Sequence, residues 1–326
     1  MANIAIVGAS GLVGQKLTEI LADKMSENKL RLFGNSSAGN KVCVFGKNLV
    51  IEHVDNLLKT PIDYAMFMAG SDVSQEYIPH LTSSGVVCID NSAAFRMEKD
   101  VPLVVPQING DTICDNKLIA NPNCTTIQVV MALHAIRELG IDSVTVSTYQ
   151  AVSGAGRDGL ADLQEKRSYG KLKCFSHPIY DNVIAQIGEV LPDGTTVEER
   201  KMRNECRKIL NMPNLSVNSF CVRVPVSIGH GAFVNVKTKS RVDIRKVREM
   251  LKGEQDVLLF DDAENGVFPM PAVMRHTHFV GVGRLSSDGT ENGLNMFVVA
   301  DNLLRGAAYN AYQILKVALK NNGDTL

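Results

Sequence analysis

The sequence predicts an α/β protein: a doubly wound parallel sheet domain, then a second domain of α+β character. Three observations carry this. Short apolar runs alternate with helical segments over the first third of the chain, and a glycine-rich turn, GASGLVG, follows the first run. After Ser143 the apolar runs lengthen and alternate with β-branched residues.

Taken in order, NIAIVG is the first strand, a helix is expected from about Leu12 to Met25, and KLRLFG and DYAMFMAG are strands. A helix near Gln75 to Ser83 and the strand GVVCIDNS complete a βαβ rhythm. A second domain is expected to start near Cys124. In it VTVSTYQAV, NSFCVRVPVSI, GAFVNVKTK, HFVGVGRL and NGLNMFVVA read as a mixed or antiparallel sheet, with helices at 158–169, 197–210 and 243–252. The closing ADNLLRGAAYNAYQILKVALK is amphipathic and helical, suited to packing back on the first domain.

The chain has 326 residues, 45% hydrophobic and 21% charged, enough for two domains. A formal net charge of -1 leaves no electrostatic footprint for nucleic acid or an anionic membrane, so the expected partner is a small molecule. No run approaches the roughly 20 apolar residues of a membrane span. The seven cysteines are scattered without a CxxC pair, which fits a reducing compartment, and a cytoplasmic protein is expected.

GASGLVG places Gly8, Gly11 and Gly14, with Ser10, Leu12 and Val13 between and beside them, after a strand and at the opening of a helix. This is a variant of the pyrophosphate-binding fingerprint. Gly8 suits a tight turn, Gly11 the approach of phosphate, and Gly14 close helix-on-strand packing. A NAD site carries an acid at the end of the second strand. Here Asn35, Ser36 and Ser37 follow KLRLFG, and Glu27 lies at the other end, so NADP is favoured.

NPNCTTIQVV sets Cys124 between a proline turn and the first turn of a helix, where unpaired N–H groups and the helix dipole favour a thiolate. The alternative is a small buried hydrophobe. A thiolate beside a nicotinamide suggests thioester chemistry, which needs a proton shuttle and an anion clamp. His230, flanked by glycines in SIGHGAF, is a candidate base or a structural histidine. Arg96 in NSAAFRM and Arg223 in CVRVPV are candidate anion binders. His276 and His278 would share one strand face, but no third ligand is evident and no metal site is expected. Glu198 and Lys201, three apart on VEERKMRNECRKIL, read as a surface ion pair on a helix whose charges lie mostly in water.

Together GASGLVG, NSAAFRM, PNCTT, TYQAVSGAG, VRVPVSIGH and DNLLRGAA, in this order along essentially the whole chain, resemble the aspartate-semialdehyde dehydrogenase family. The resemblance implies a Rossmann-type NADP-binding domain (1–123 with 301–326) and an α+β catalytic and dimerisation domain (124–300). It implies NADPH-dependent reduction of aspartyl 4-phosphate to aspartate semialdehyde and phosphate, on the route to lysine, threonine and methionine, by a homodimer or tetramer. It makes Cys124 the nucleophile and His230 the acid/base catalyst. Gln150 would orient substrate, Arg223 bind its carboxylate and Glu198 its amino group, and Arg96, Asn123 and Lys201 form the phosphate subsite. Ser153, Gly154 and Asn302 would join the glycine loop, Ser36 and Ser37 at the cofactor.

Two features strain the resemblance. Residues 223 and 230 have opposite strand parity, so a bend at Pro225 or Gly229 is needed to join their side chains. The loop GNSSAGNK has Ser36 where family members often carry arginine and Asn40 where lysine is common, which implies a moderate NADP preference. The competing readings are N-acetyl-glutamyl-phosphate reductase, whose thiol motif has glycine where Asn123 stands, and a non-catalytic nucleotide-binding regulator.

Overall fold

The structure, a computed structural model, describes residues 2–44 and 46–326. Its contacts divide the chain into two units, Met1–Pro122 with Ala307–Leu326, and Asn123–Gly306.

The first unit opens with β1 (Ile4–Val7), α1 (Leu12–Ala22), β2 (Leu30–Gly34), β3 (Lys41–Val44), β4 (Lys47–His53) and β5 (Tyr64–Phe67). It continues with α2 (Ser71–Ser83), β6 (Val87–Asp90), α3 (Pro106–Asn109) and β7 (Leu118–Ala120). The sheet order is β3-β4-β2-β1-β5-β6-β7. β1 lies parallel between β2 and β5, with Ile4 opposite both Leu30 and Tyr64. The β3–β4 hairpin adds an antiparallel edge that the apolar pattern did not reveal, because β3 alternates between exposed and half-buried residues. IAIV is buried throughout because both faces of the sheet are covered.

The second unit contains α4 (Cys124–Ala135), β8 (Ile141–Gln150), α5 (Gly156–Gln164), α6 (Val197–Ile209), β9 (Ser216–Arg223) and β10 (His230–Thr238). α7 (Ile244–Gly253), β11 (Val257–Leu259), α8 (Pro271–Met274), β12 (Val280–Ser287) and β13 (Gly293–Ala300) follow. Its sheet runs β11-β12-β13-β10-β8-β9 and is mixed: β8 is antiparallel to β10 and parallel to β9. Strict alternation on β8 buries Val144, Val146, Thr148 and Gln150 while Thr145 and Tyr149 stay exposed. The buried side faces α4, α6 and α7.

The last helix, α9 (Tyr309–Asn322), belongs to the first unit. Ala311, Ile314, Leu315 and Ala318 join Leu17 and Leu21 of α1 over Ile4 and Ile6, while Tyr77, Ile78 and Leu81 of α2 cover Ala5 and Val7 on the other face. Residues 301–306, expected with the cofactor domain, go with the second unit. Asp301 accepts from the N–H groups of His276, Leu303 and Leu304, and Arg305 is wholly buried against Asp256. His276 and His278 do not share a strand: both precede β12, and His276 has φ +66° in a turn.

Leu315→Ala should destabilise the protein by about 2–5 kcal/mol, whereas truncating the neighbouring Lys316 should cost less than about 0.5 kcal/mol. Urea unfolding midpoints of the two variants check this, and equal shifts would mean that α9 is not part of the first core.

Candidate active site

α4 begins at the thiol. Asn123 is its N-cap: the side-chain Oδ1 accepts from the N–H groups of Thr125 (2.9 Å) and Thr126 (3.3 Å), so Cys124 takes the first helical position. The other end of the same amide donates to Glu198 Oε1 at 2.8 Å, and the Asn123 backbone N–H donates to Glu205 Oε2 at 2.7 Å. Gly306 packs directly on Cys124, where an added Cβ would stand 2.9 Å from that of the cysteine.

The charged helix α6 is not the solvated surface its composition suggested. Glu198, Glu199 and Glu205 are 8%, 4% and 1% exposed, and among its charged residues Arg200 alone is exposed. Each buried carboxylate has donors, which is what permits burial. Glu199 closes a capping box with Thr196 and also accepts from the Cys221 N–H at 2.9 Å. Glu198 accepts from Asn123, Gln150 (3.2 Å) and Lys201 (3.3 Å). Sequence reading missed Glu205, although its spacing of seven from Glu198 puts it on the same helix face.

Arg223 and His230 meet without any bend having to correct strand parity, because they lie on different strands that flank β8. Arg223 ends β9 opposite Gln150, and His230 begins β10 on the other side. Gly154 is the meeting point: a Cβ there would stand 2.9 Å from Arg223 Nη1 and 3.2 Å from His230 Nε2. Arg223 Nη1 donates to the Ala151 carbonyl at 2.8 Å, and the Ala151 N–H donates to His230 Nδ1 at 2.9 Å. His230 Nε2 is buried and has no partner among the described residues. Beside Arg223 lies a cavity of about 310 Å³, lined also by Ala155, Cys174, Phe175, Ile184 and Gly188. Buried Asp162 shapes its wall by accepting from the N–H groups of Lys173, Cys174 and Phe175.

Burial, and then the Arg223 charge, hold the His230 imidazole well below its ordinary pKa. Burial lowers Arg223 too, opposed by Cys124 and Glu198. Burial works to raise Glu198, but the Lys201 charge and the bonds from Asn123, Gln150 and Lys201 outweigh it and keep the carboxyl below its usual range. Among the other thiols, burial pushes Cys88 and Cys206 well up, Cys221 up to about 12, and Cys174 up.

Ser153 and Asn302 bond one another at 3.0 Å, and Asn302 Oδ1 also accepts from the Gly229 N–H, bracing the loop before His230. In the first unit, Gly8 has φ +82° and a Cβ there would lie 2.7 Å from the Met68 carbonyl oxygen; a Cβ on Gly14 would lie 2.2 Å from that of Gly8. Gly11 caps α1 without a side-chain bond, so Ser10, Gly11, Leu12 and Val13 form a turn around open helix N–H groups. The turn after β2 holds Ser36 exposed and Ser37 half-buried. Arg96 is buried, donating to the carbonyls of Asn121 (2.9 Å) and Asn91 (2.8 Å) just beyond the C-terminal ends of β7 and β6.

A histidine buried neutral adds a pH dependence of known sign. The unfolded imidazole gains its proton near pH 6.5 and the folded one only well below, so stability is fully present above about 6.5 and is lost on acidification. Below that value wild type should lose about 1.4 kcal/mol per pH unit relative to His230→Asn. Urea unfolding of both at pH about 6.5 and 5.5 tests it, and parallel losses would contradict it.

Residues 3–116 match the family model for the semialdehyde dehydrogenase NAD binding domain, and residues 133–305 that for the semialdehyde dehydrogenase dimerisation domain. The aspartate-semialdehyde dehydrogenases of Aquifex aeolicus and Bacillus subtilis are 41% and 39% identical, each alignment covering 98% of both chains. The crystal structure of aspartate semialdehyde dehydrogenase II from Vibrio cholerae, complexed with ASA, superposes with a TM-score of 0.93 at 36% identity over 98% of this chain and 99% of that one. No helix among the described residues is long and apolar enough to cross a membrane. With a cofactor domain, a dimerisation domain and full-length relatives all in agreement, the chain belongs to the aspartate-semialdehyde dehydrogenase family of oxidoreductases.

Proposed function

We propose that the chain reduces L-aspartyl 4-phosphate to L-aspartate 4-semialdehyde with NADPH, releasing phosphate, through a thioester on Cys124. The observation that carries this is Cys124 at the first turn of α4, with Asn123, Glu198, Lys201, Gln150, Arg223 and His230 assembled in the same unit. An acyl phosphate bearing a carboxylate and an ammonium needs two anion sites and one acid, and these residues supply them.

In this reading the Cys124 sulfur attacks the acyl carbon and phosphate leaves. Asn123, Lys201 and Arg96 bind the phosphate, Arg223 grips the substrate carboxylate, Glu198 faces the ammonium, Gln150 orients the chain, and His230 serves the reacting carbonyl as the acid/base catalyst. The glycine turn fits a dinucleotide pyrophosphate, since side chains at Gly8 or Gly14 would fill the cradle and the α1 N–H groups lack a side-chain cap. Bound NADPH supplies the hydride. Ser36 and Ser37, with no acid among them, favour the 2′-phosphate, and Ser153, Gly154 and Asn302 complete the nicotinamide side. N-acetyl-glutamyl-phosphate reductase is disfavoured because glycine at position 123 would remove both the helix cap and the bond to Glu198.

The oligomer is a homodimer built on the open face of the second sheet. Tyr149, Phe220 and Phe233 are 40%, 55% and 37% exposed there, and Gly231 makes room for the Phe297 ring on the same face.

NADP-dependent oxidation of aspartate semialdehyde should require phosphate, and substoichiometric iodoacetamide should label Cys124 first and abolish it. Preferential labelling of exposed Cys43 or Cys114 with activity intact would refute the nucleophile. Arg96→Ala should weaken saturation by phosphate and Arg223→Ala that by the amino-acid substrate, each by roughly 1.5–3 kcal/mol; identical effects on both would undo the division of subsites. Ser37→Asp should reverse the cofactor preference and Ser36→Arg should strengthen NADP binding, read from kcat/KM for both cofactors; an unmoved ratio would exclude this loop from the 2′-phosphate. Light scattering should find Phe220→Asp/Phe233→Asp monomeric, and an unchanged dimer would place the interface elsewhere.

A further inference from the structure

We infer that Phe175 determines substrate length: its ring holds the Arg223 guanidinium where a four-carbon substrate spans to Cys124, and a substrate one methylene longer is rejected. This rests on the reaction proposed above and deepens it, by assigning a residue to the discrimination between aspartyl and glutamyl substrates. The centroid of the Phe175 ring lies 5.8 Å from the Arg223 guanidinium carbon, and both residues line the cavity of about 310 Å³. Elsewhere on the same guanidinium, Nη1 donates to the Ala151 carbonyl at 2.8 Å, and a Cβ on Gly154 would stand 2.9 Å from it. The cation is held by a ring, a carbonyl and a bare stretch of backbone.

The ring is itself fixed from behind. Asp162 of α5, wholly buried, accepts from the N–H groups of Lys173 (3.0 Å), Cys174 (2.9 Å) and Phe175 (3.3 Å), so this loop folds around one carboxylate. Arg167 Nη1 donates to the same carboxylate at 3.3 Å. Phe175 then packs on the apolar cluster of Val152, Ile179 and Ile184, and a Cβ on Gly159 would come within 3.1 Å of the ring tip, so α5 presses on it without a side chain between. Ile184 in turn is bridged to Arg223 by two backbone bonds, of 3.0 Å to the arginine carbonyl and 2.8 Å from its N–H. The wall that carries the ring and the strand end that carries the arginine are thus one framework.

A carboxylate on Arg223 and an acyl carbon on Cys124 set the two ends of the substrate. The arginine stem has several rotatable bonds, so the place of its head group is decided by what surrounds it. The cavity gives that head group room to turn away from Ala151, and Phe175 is the large side chain that stands against it there. With the ring in place a glutamyl chain has to buckle, which carries its carbonyl carbon off the line of the sulfur. One methylene in a discriminating pocket is worth about 10–200-fold, and a misplacement on the order of 1 Å about 10²-fold. Without the ring the guanidinium can follow the longer chain into the cavity.

The test measures kcat/KM for L-aspartate 4-semialdehyde and L-glutamate 5-semialdehyde, each with NADP⁺ and phosphate, in wild type, Phe175→Ala, Phe175→Leu and Asp162→Asn. Wild type should favour the aspartyl substrate, and Phe175→Ala should shift the ratio toward the glutamyl one by about 10-fold or more, with the KM for phosphate unchanged. Phe175→Leu keeps apolar bulk over the Val152 cluster and should shift the ratio the same way by less, as should Asp162→Asn through the loop. These two variants decide the matter if the alanine variant does not fold. A ratio left unmoved while both substrates lose equally, or a phosphate KM that rises as far as that of the semialdehyde, would overturn the proposal. Crystal structures give a readout independent of turnover: Phe175→Ala should show the Arg223 guanidinium turned from the Ala151 carbonyl into the cavity, and a guanidinium left in place would overturn it. A wild-type protein inactive on aspartate semialdehyde would instead refute the proposed reaction, and the position of Arg223 in the variant would still decide the role of Phe175.

Discussion

The second unit depends on a single side-chain amide used from both ends. Asn123 caps α4 with its oxygen and joins α4 to α6 with its nitrogen, so the residue before the thiol fixes both the start of one helix and its distance from the next. The same contact explains the buried charge on α6. Glu198 gains three donors and Glu205 the Asn123 N–H, and a carboxylate supplied in this way is tolerated where a bare one would not be. A helix cap that costs about 1 kcal/mol to lose in an ordinary helix would here also take one of its three donors from buried Glu198, so the local and the tertiary requirements fall on one residue.

Close approach is obtained by leaving out side chains. Gly306 lets the backbone lie against Cys124, and Gly154 lets it lie against both His230 and Arg223. Any Cβ at either place would displace a group of the candidate site by several tenths of an ångström, enough to matter for a reacting geometry. On the first unit Gly8 and Gly14 do the same for the turn that opens α1. The two units therefore reach their chemistry by a similar device, with polar groups brought near a gap that only glycine leaves open.

Much of this was legible in the sequence. The glycine turn, the strand alternation and the turn-then-helix pattern around Cys124 are local signals, set by φ preferences and by side-chain periods of 2 and 3.6. What was not legible depends on partners distant in sequence. Charge content put α6 in water because Asn123 and Cys221, far away in the chain, supply its carboxylates. Counting parity along one stretch misjudged Arg223 and His230 because β9 and β10 are not neighbours but flank β8. Residues 301–306 read as part of the closing helix, yet Asp301 and Arg305 find their partners in the second unit. Gln128 carries no local signal at all, because the carbonyls it bonds, those of His230 and Val298, lie on β10 and β13.

The central claim is that the sulfur at the head of α4 carries the acyl group. The direct measurement mixes the protein with aspartate semialdehyde and NADP⁺, withholds phosphate, quenches in acid, and weighs the peptide that holds Cys124. The account predicts a gain of one aspartyl group on Cys124 that disappears when phosphate is added before the quench. An unmodified Cys124, or the acyl group on another residue, in protein that turns over once phosphate is supplied would contradict it.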